Sequence, residues 1–164
     1  MKTTKLMLCA AAVLLLGACG QEPERQVVGG APTAVQPDDA TYRDFGDYVL
    51  HFNALTTDQL TPEVAKQYGI VRSKNRALLN VSIIQKQAGS TGRSVPGSVS
   101  ASARNLTGQL KNLVLREIRE GDAVYYIGDV PVSNGETLFF TVDATPINET
   151  SRFSVQFSRQ FFTD

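Results

Sequence analysis

Cysteine, histidine and tryptophan are scarce in this sequence, which contains two, one and none of them in 164 residues. Both cysteines, Cys9 and Cys19, lie close to the amino terminus, so a domain that follows them has no thiol. Disulfide bonds, thiolate nucleophiles and cysteine-ligated metals are therefore excluded from that domain. His51 is the only histidine, so a metal site made of several histidines is also excluded. We expect no metal and no cofactor.

An excess of charge of either sign is lacking as well. Lysine and arginine together number 16, as do aspartate and glutamate, and the formal net charge is zero. Loss of Lys2 and Lys5 with a cleaved signal would leave two more acidic than basic residues. Because binding to phosphate backbones needs a basic footprint, this balance argues against nucleic acid as a partner.

The apolar run at the amino terminus is too short to span a bilayer. Residues 6–16 are eleven uncharged residues after a basic head, whereas a transmembrane helix needs roughly 20. A basic head, a short apolar core and small residues before a cut are typical of an export signal. We therefore predict a signal peptide over residues 1–18 that is removed.

The end of this signal, Leu16-Gly17-Ala18-Cys19, resembles the lipobox of bacterial lipoproteins. The resemblance implies cleavage between Ala18 and Cys19, and attachment of acyl chains such as palmitate to Cys19. More than one acyl chain is enough for stable anchoring in a membrane. Gly20 follows the cysteine, and the absence of an aspartate there favours the outer membrane, with the protein facing the periplasm.

Residues 19–41 are predicted to form a lipidated tether. The segment contains Pro23, Pro32, Pro37 and a Gly29-Gly30 pair, and it has no sustained apolar periodicity. Such a composition is typical of a flexible linker. Residues 42–164 have the usual size of one domain.

Strand patterns dominate residues 42–164. Alternating or continuous apolar residues predict seven strands, at residues 48–54, 77–86, 95–105, 110–120, 123–132, 136–144 and 152–162. Residues 77–86 are apolar on both phases, which predicts a central strand. Residues 110–120 also fit a helical period, but we favour a strand. Ser133-Asn134-Gly135 predicts a hairpin turn between the two strands that flank it.

One segment between the first two strands has the signals of a short helix. Thr61 is a capping hydroxyl, Pro62 stands at the first helical position, Glu63 follows in the first turn, and Gly69 comes after the end. Seven strands and one short helix predict an all-β fold, an immunoglobulin-like β-sandwich. A small open barrel and an α+β layer are the alternatives.

Two stretches of the sequence resemble a family of bacterial envelope lipoproteins with a domain of unknown function. They are residues 52–83, "FNALTTDQLTPEVAKQYGIVRSKNRALLNVSI", and residues 116–127, "REIREGDAVYYI". The resemblance extends over residues 42–164 and implies an immunoglobulin-like domain in the cell envelope. It implies no activity, and no functional residue is carried over from it.

A concentration of cations around one aromatic residue is the strongest candidate binding site. The patch consists of Lys66, Tyr68, Arg72, Lys74 and Arg76. Because arginine binds carboxylates and phosphates well, we expect it to bind a periplasmic protein with an acidic surface or an anionic envelope polymer. The simpler interpretation is a solvated loop with local ion pairs to Glu63 or Asp58.

No catalytic motif accompanies these features. His51 is predicted in the middle of a strand, and no G-x-S-x-G sequence supplies a nucleophile for it. We therefore expect a non-enzymatic binding or assembly module anchored to the membrane through its lipid. The alternative is an enzyme that processes envelope polysaccharide with two carboxylates roughly 5–9.5 Å apart in a cleft.

Overall fold

The computed structural model describes residues 40–164. The predicted signal peptide, the lipidation site at Cys19 and the tether up to residue 39 lie outside the described residues. Within residues 40–164, no helix is both long and apolar enough to cross a membrane.

Ten strands and two short helical segments make up this part of the chain. In chain order they are β1 (Tyr42–Asp44), β2 (Tyr48–Thr56), a 3₁₀ turn (Thr57–Gln59), α1 (Pro62–Gln67), β3 (Arg76–Gln85), β4 (Arg93–Val95), β5 (Gly97–Asn105), β6 (Leu110–Lys111), β7 (Arg116–Glu120), β8 (Ala123–Pro131), β9 (Glu136–Pro146) and β10 (Phe153–Phe161). Three of the strands, β1, β4 and β6, have three residues or fewer. Six of the other seven correspond to strands predicted from the sequence, and β7 covers only the last part of the seventh predicted strand.

The strands form two antiparallel sheets. One has six strands in the order β1-β2-β3-β8-β7, with β4 also paired to β3, and the other has four in the order β10-β9-β5-β6. If the seven longer strands are lettered A to G along the chain, the sheets read ABED and CFG. This is the strand order of a constant-type immunoglobulin domain, and it confirms the predicted β-sandwich.

The core lies between the two sheets and is built from alternate residues of the long strands. In β10, Phe153, Val155, Phe157 and Phe161 are buried, as their spacing predicts. The ring of Phe157 lies between those of Phe52 in one sheet and Phe140 in the other, at centroid distances of 4.7 and 4.9 Å. Aromatic contacts of this kind add to the free energy of burial.

The predicted helix is confirmed as α1. The hydroxyl oxygen of Thr61 accepts a hydrogen bond from the backbone N–H of Val64 at 3.3 Å. Pro62 begins the helix, and Gly69, just after its end, has φ +62°, a conformation that favours glycine. The backbone N–H of Ile70 then donates to the Ala65 carbonyl at 2.8 Å, which folds the following residues back along the helix.

The predicted single strand at residues 110–120 is wrong. Residues 110 and 111 form β6, which pairs with β5 in the four-stranded sheet, whereas β7 pairs with β8 in the other sheet. The residues between them cross from one sheet to the other, and Leu113 and Leu115 pack against the core as they do so. This crossing passes directly over Gly128 of β8, where a Cβ atom would lie 2.5 Å from the Val114 carbonyl oxygen.

The predicted hairpin around Asn134-Gly135 is also wrong. The turn exists, and Gly135 has φ +72°, but β8 before it and β9 after it belong to different sheets. The strand β9 pairs with β5 and β10 instead. The turn therefore carries the chain across the sandwich and does not close a two-stranded ladder.

Candidate functional site

The outer face of the six-stranded sheet is apolar at its centre. Leu78 of β3 and Ile127 of β8 point away from the core, yet they are only 5% and 6% exposed. The register places Asn80 of β3 opposite Ile127, and Ile118 of β7 opposite Tyr125 of β8. The helix α1 and the residues after it cover these side chains incompletely.

The incomplete cover leaves an open cavity of about 310 Å³ beneath α1. Its floor comes from β3 and β8, one side from α1 and its flanking residues, and the other from β7. The lining residues are Leu60, Val64, Gln67, Tyr68, Ile70, Leu78, Asn80, Ile118, Glu120, Tyr125 and Ile127. A mostly apolar concavity with a few polar groups is the usual form of a binding site.

Glu120 is the one carboxylate among the residues that line this cavity. Its Oε2 atom accepts a hydrogen bond from the Tyr68 hydroxyl at 2.6 Å, and its Oε1 atom accepts one from Gln67 Nε2 at 3.4 Å. The hydrogen bond to Glu120 raises the pKa of Tyr68 above its ordinary value of 10.0, and desolvation raises it further. Tyr68 is therefore a neutral hydrogen-bond donor at physiological pH.

Asn80 contributes a buried polar atom of the cavity that lacks a partner. Its side-chain oxygen Oδ1 is buried and has no hydrogen bond. A buried acceptor left unpaired costs about 1–3 kcal/mol, so such groups are rare in native proteins. A ligand that donates a hydrogen bond would remove this cost.

Two further concavities continue the cavity along β3. One, of about 310 Å³, shares Ile70, Leu78 and Ile127 with it. The other, of about 170 Å³, shares Asn80. We name the three together the β3 groove, because its floor follows the outward row Arg76, Leu78, Asn80 and Ser82. At about 3.3 Å per residue this row is roughly 20 Å long.

The two ends of the β3 groove are polar. Arg76 forms an ion pair with Asp129 at one end, where Arg116 donates a hydrogen bond to the Tyr68 carbonyl oxygen. At the other end His51, Asn53 and Ser82 line the smallest concavity. The exposed ring of His51 lies 5.9 Å from that of Tyr42.

The five residues of the predicted patch do not share one environment. Tyr68 lines the central cavity and Arg76 lines the end of the β3 groove. Lys66 is exposed on α1. Arg72 donates to the backbone oxygen of Asp58 at 2.7 Å, and Lys74 donates to the backbone oxygen of Asp164. The patch thus contributes Tyr68 and Arg76 to the groove, and its other three residues do not line it.

The sequence alone does not identify the floor residues of the groove. Asn80, Ile118, Tyr125 and Ile127 belong to strands whose sequence patterns predict core or edge elements. One signal indicated the covered outer face of β3, because residues 77–86 are apolar at both alternating sets of positions. A strand that is buried on one face alone needs apolar residues only at every second position. Apolar residues at the intervening positions as well indicate that the outer face is also covered.

Groups suited to metal binding do not occur in the described part of the chain. No three residues of the types His, Cys, Asp and Glu lie close enough together within residues 40–164 to hold an ion. The two larger concavities of the β3 groove each contain one acid. Glu120 is hydrogen-bonded to Tyr68, and Asp129 is ion-paired with Arg76.

These features define an immunoglobulin-like β-sandwich with a partly apolar groove on one outer face. The chain belongs to the family described as "Domain of unknown function (DUF4426)", whose model matches residues 42–164. None of the curated proteins matches the chain. All eleven residues of the central cavity lie within residues 52–83 and 116–127, the two stretches on which the family resemblance rests.

The solved structures that are similar to this one include the following two. A DUF4426 family protein from Pseudomonas aeruginosa PAO1 is 32% identical, with a TM-score of 0.64 over 75% of this chain and 94% of that one. FetP from uropathogenic E. coli strain F11, expressed recombinantly in the periplasm of E. coli, is 13% identical. Its TM-score is 0.53 over 74% of this chain and 92% of that one, and this likeness shows the fold alone.

Proposed function

We propose that this protein is a lipoprotein anchored to the outer membrane through Cys19, and that it acts in the periplasm as a non-enzymatic binding or assembly module. The β3 groove is its binding site. The observation that carries the proposal is the cavity beneath α1, which combines an apolar lining with an unpaired acceptor on Asn80. Both features favour a bound partner over water.

The signal and lipobox of residues 1–19 support the anchor and the compartment. A tether that begins at Cys19 would allow the domain to stand clear of the lipid surface. At about 5–6 Å × √n, some 21 flexible residues reach roughly 25 Å.

The alternative, a polysaccharide-processing enzyme, is less well supported by the geometry. Such an enzyme needs two carboxylates that flank one bond. In the central cavity only Glu120 is available, and its two oxygens already accept hydrogen bonds from Tyr68 and Gln67. We therefore retain the binding module as the proposed function.

Substitution of one lining residue tests this function. Val64, 37% exposed on α1, lines the cavity, and Val64→Asp would place a charge against its apolar floor. Val114, 73% exposed on the crossing between β6 and β7, does not line the β3 groove, so Val114→Asp is the matched control. Affinity purification from envelope extracts, quantified by mass spectrometry, should show partners lost with Val64→Asp and kept with Val114→Asp. Equal recovery with both variants would refute the groove as the binding site.

A further inference from the structure

The dimensions and charges of the β3 groove indicate what kind of partner it binds. We propose that it binds an extended, acidic stretch of polypeptide that belongs to another protein and that places one large apolar side chain in the cavity beneath α1. This inference rests on the proposed function, because it names the ligand of the same site.

The shape of the groove fits an extended peptide with one anchor. The row from Arg76 to Ser82 is long enough to lie along about six extended residues. The central cavity of about 310 Å³ is at the lower end of the roughly 300–1,000 Å³ that is typical of small-molecule sites. It is also open along its length, so it would enclose a side chain better than a whole small molecule. Protein interfaces draw most of their free energy from a few anchors seated in such pockets.

The unpaired oxygen of Asn80 suits a peptide backbone. An extended peptide presents a backbone N–H at every second residue along one edge. One of these donors, placed next to the anchoring side chain, would satisfy the buried Oδ1 atom. A saturated hydrocarbon chain could fill the cavity but would offer no donor.

The charges around the groove favour acidic residues beside the anchor. In residues 40–164, no carboxylate pairs with Lys66, Arg72 or Arg116, because the two arginines donate only to backbone oxygens and Lys66 has no polar partner. Arg76, by contrast, is neutralised by Asp129. Glu63 on α1 and Asp58 before it have no cation partner either and balance Lys66 and Arg72, so Arg116, which lines the groove, is the cation best placed to attract an acidic residue of a partner. A purely anionic polymer would match these cations but would leave the apolar cavity exposed to water.

Peptide selection tests this inference directly. A phage-displayed library of random dodecapeptides is panned against the purified full-length lipoprotein in detergent micelles. Enriched sequences should combine one large aliphatic or aromatic residue with neighbouring Asp or Glu. Their affinity should fall at least about tenfold with Val64→Asp, since a charge would then face the anchor.

Matched variants separate the contribution of the cavity from that of charge. Arg116→Ser should weaken the enriched peptides about two- to fivefold, as expected for one exposed ion pair, and Arg104→Ser on the opposite sheet should leave them unchanged. Gln67→Trp, which adds bulk from an exposed position of the cavity rim, should also reduce binding. Thermal unfolding of each variant shows whether it remains folded.

The outcomes distinguish this inference from the proposed function. Enriched peptides that bind Val64→Asp and Gln67→Trp as well as the native protein would overturn the inference, as would enrichment of neutral or basic peptides. If no peptide family is enriched while affinity purification still loses partners with Val64→Asp, the peptide inference fails and the proposed function stands. If both experiments show no effect of the groove variants, both are wrong.

Discussion

Asn80 is a polar residue at the border between the apolar centre of the outer sheet face and its polar end. Its neighbours across the sheet are Asn53 on β2 and Ile127 on β8, and its side-chain oxygen is buried without a partner. An apolar β-branched residue would suit this strand position better if stability alone mattered. A ligand that donates a hydrogen bond to this oxygen would explain why an asparagine occupies the position.

Substitution of Asn80 should therefore separate stability from binding. We predict that Asn80→Val leaves the free energy of unfolding unchanged or raises it by up to about 1 kcal/mol, because the unpaired acceptor is removed. The same variant should lose affinity for the partner. Urea unfolding measures the first effect and peptide binding the second. A clear loss of stability with full binding would contradict this account of Asn80.

Glu136 illustrates the opposite case, a carboxylate whose hydrogen bonds are all within the protein. Burial raises its pKa, but an ion pair of 2.7 Å with Lys111, the backbone N–H of Ser133 and the Asn105 amide together lower it below the ordinary value of 4.5. A lowered pKa in the folded state adds stability above the unfolded-state pKa, and this contribution is lost as the pH falls through the folded-state value.

The ion pair of Glu136 predicts a pH dependence. At pH 7, Glu136→Gln should lower the free energy of unfolding by about 1–3 kcal/mol, because Lys111 loses its carboxylate partner in a largely buried site and keeps only the Pro131 carbonyl oxygen. The difference between the native protein and the variant should narrow as the pH falls below 4.5. Urea midpoints measured from pH 3 to pH 7 test this, with exposed Asp122→Asn as the control. A difference that is constant with pH would contradict it.

At the scale of the elements, the long strands were predictable and the connections between the sheets were not. Strands such as β10 alternate strictly, and α1 has its cap, proline and terminal glycine in sequence order. The Asn134-Gly135 turn led to a wrong prediction of strand pairing, because a local turn signal does not indicate which sheet the next strand joins. The predicted immunoglobulin-like order already required these two strands to lie in different sheets.

The prediction of one strand over residues 110–120 was wrong for a related reason. Its apolar residues suit a strand, but Leu113 and Leu115 pack on the core from the side of the sandwich while the backbone crosses between sheets. The signal that marks the crossing is a distant one, Gly128 of β8, where the crossing backbone approaches too closely for a side chain. A single sequence does not indicate that Gly128 lies against the crossing segment.

A methyl group at Gly128 should therefore disturb the crossing. Its Cβ atom would lie 2.5 Å from the Val114 carbonyl oxygen and 3.0 Å from Leu113 Cδ1, so the backbone must shift. We predict that Gly128→Ala lowers the free energy of unfolding by about 1–3 kcal/mol, the usual cost of overpacking. Val114→Ala, which trims an exposed side chain of the same segment, should stay within about 0.5 kcal/mol. Equal urea midpoints for the two variants would show that the contact does not matter.

At the scale of the whole molecule, the sequence predicts the sandwich and, separately, a membrane anchor. The site is less predictable, because the β3 groove joins residues from β3, β7, β8 and α1 that are distant in the chain. The predicted patch identified two residues of the groove, Tyr68 and Arg76. The apolar floor required knowledge of which strands are neighbours and of where α1 folds back.

The proposed anchor predicts a change of location on loss of the thiol. Cys19→Ser removes the only atom that the lipobox chemistry can acylate. We expect the variant to be released as a periplasmic form, or retained in the inner membrane with its signal uncut. Sucrose-gradient fractionation with immunoblotting measures this. Unaltered recovery of the variant in the outer-membrane fraction would contradict the anchor.

Site-specific photo-crosslinking in intact cells tests the central claim, that the β3 groove is the binding site, most directly. The crosslinking residue replaces Val64 at the cavity and, in the control, Ser100, which is exposed on the outer face of the opposite sheet. We predict one dominant adduct at position 64, mapped by mass spectrometry to an acidic segment of a single protein, and none at position 100. The same adducts at both positions, or none at position 64, would contradict the claim.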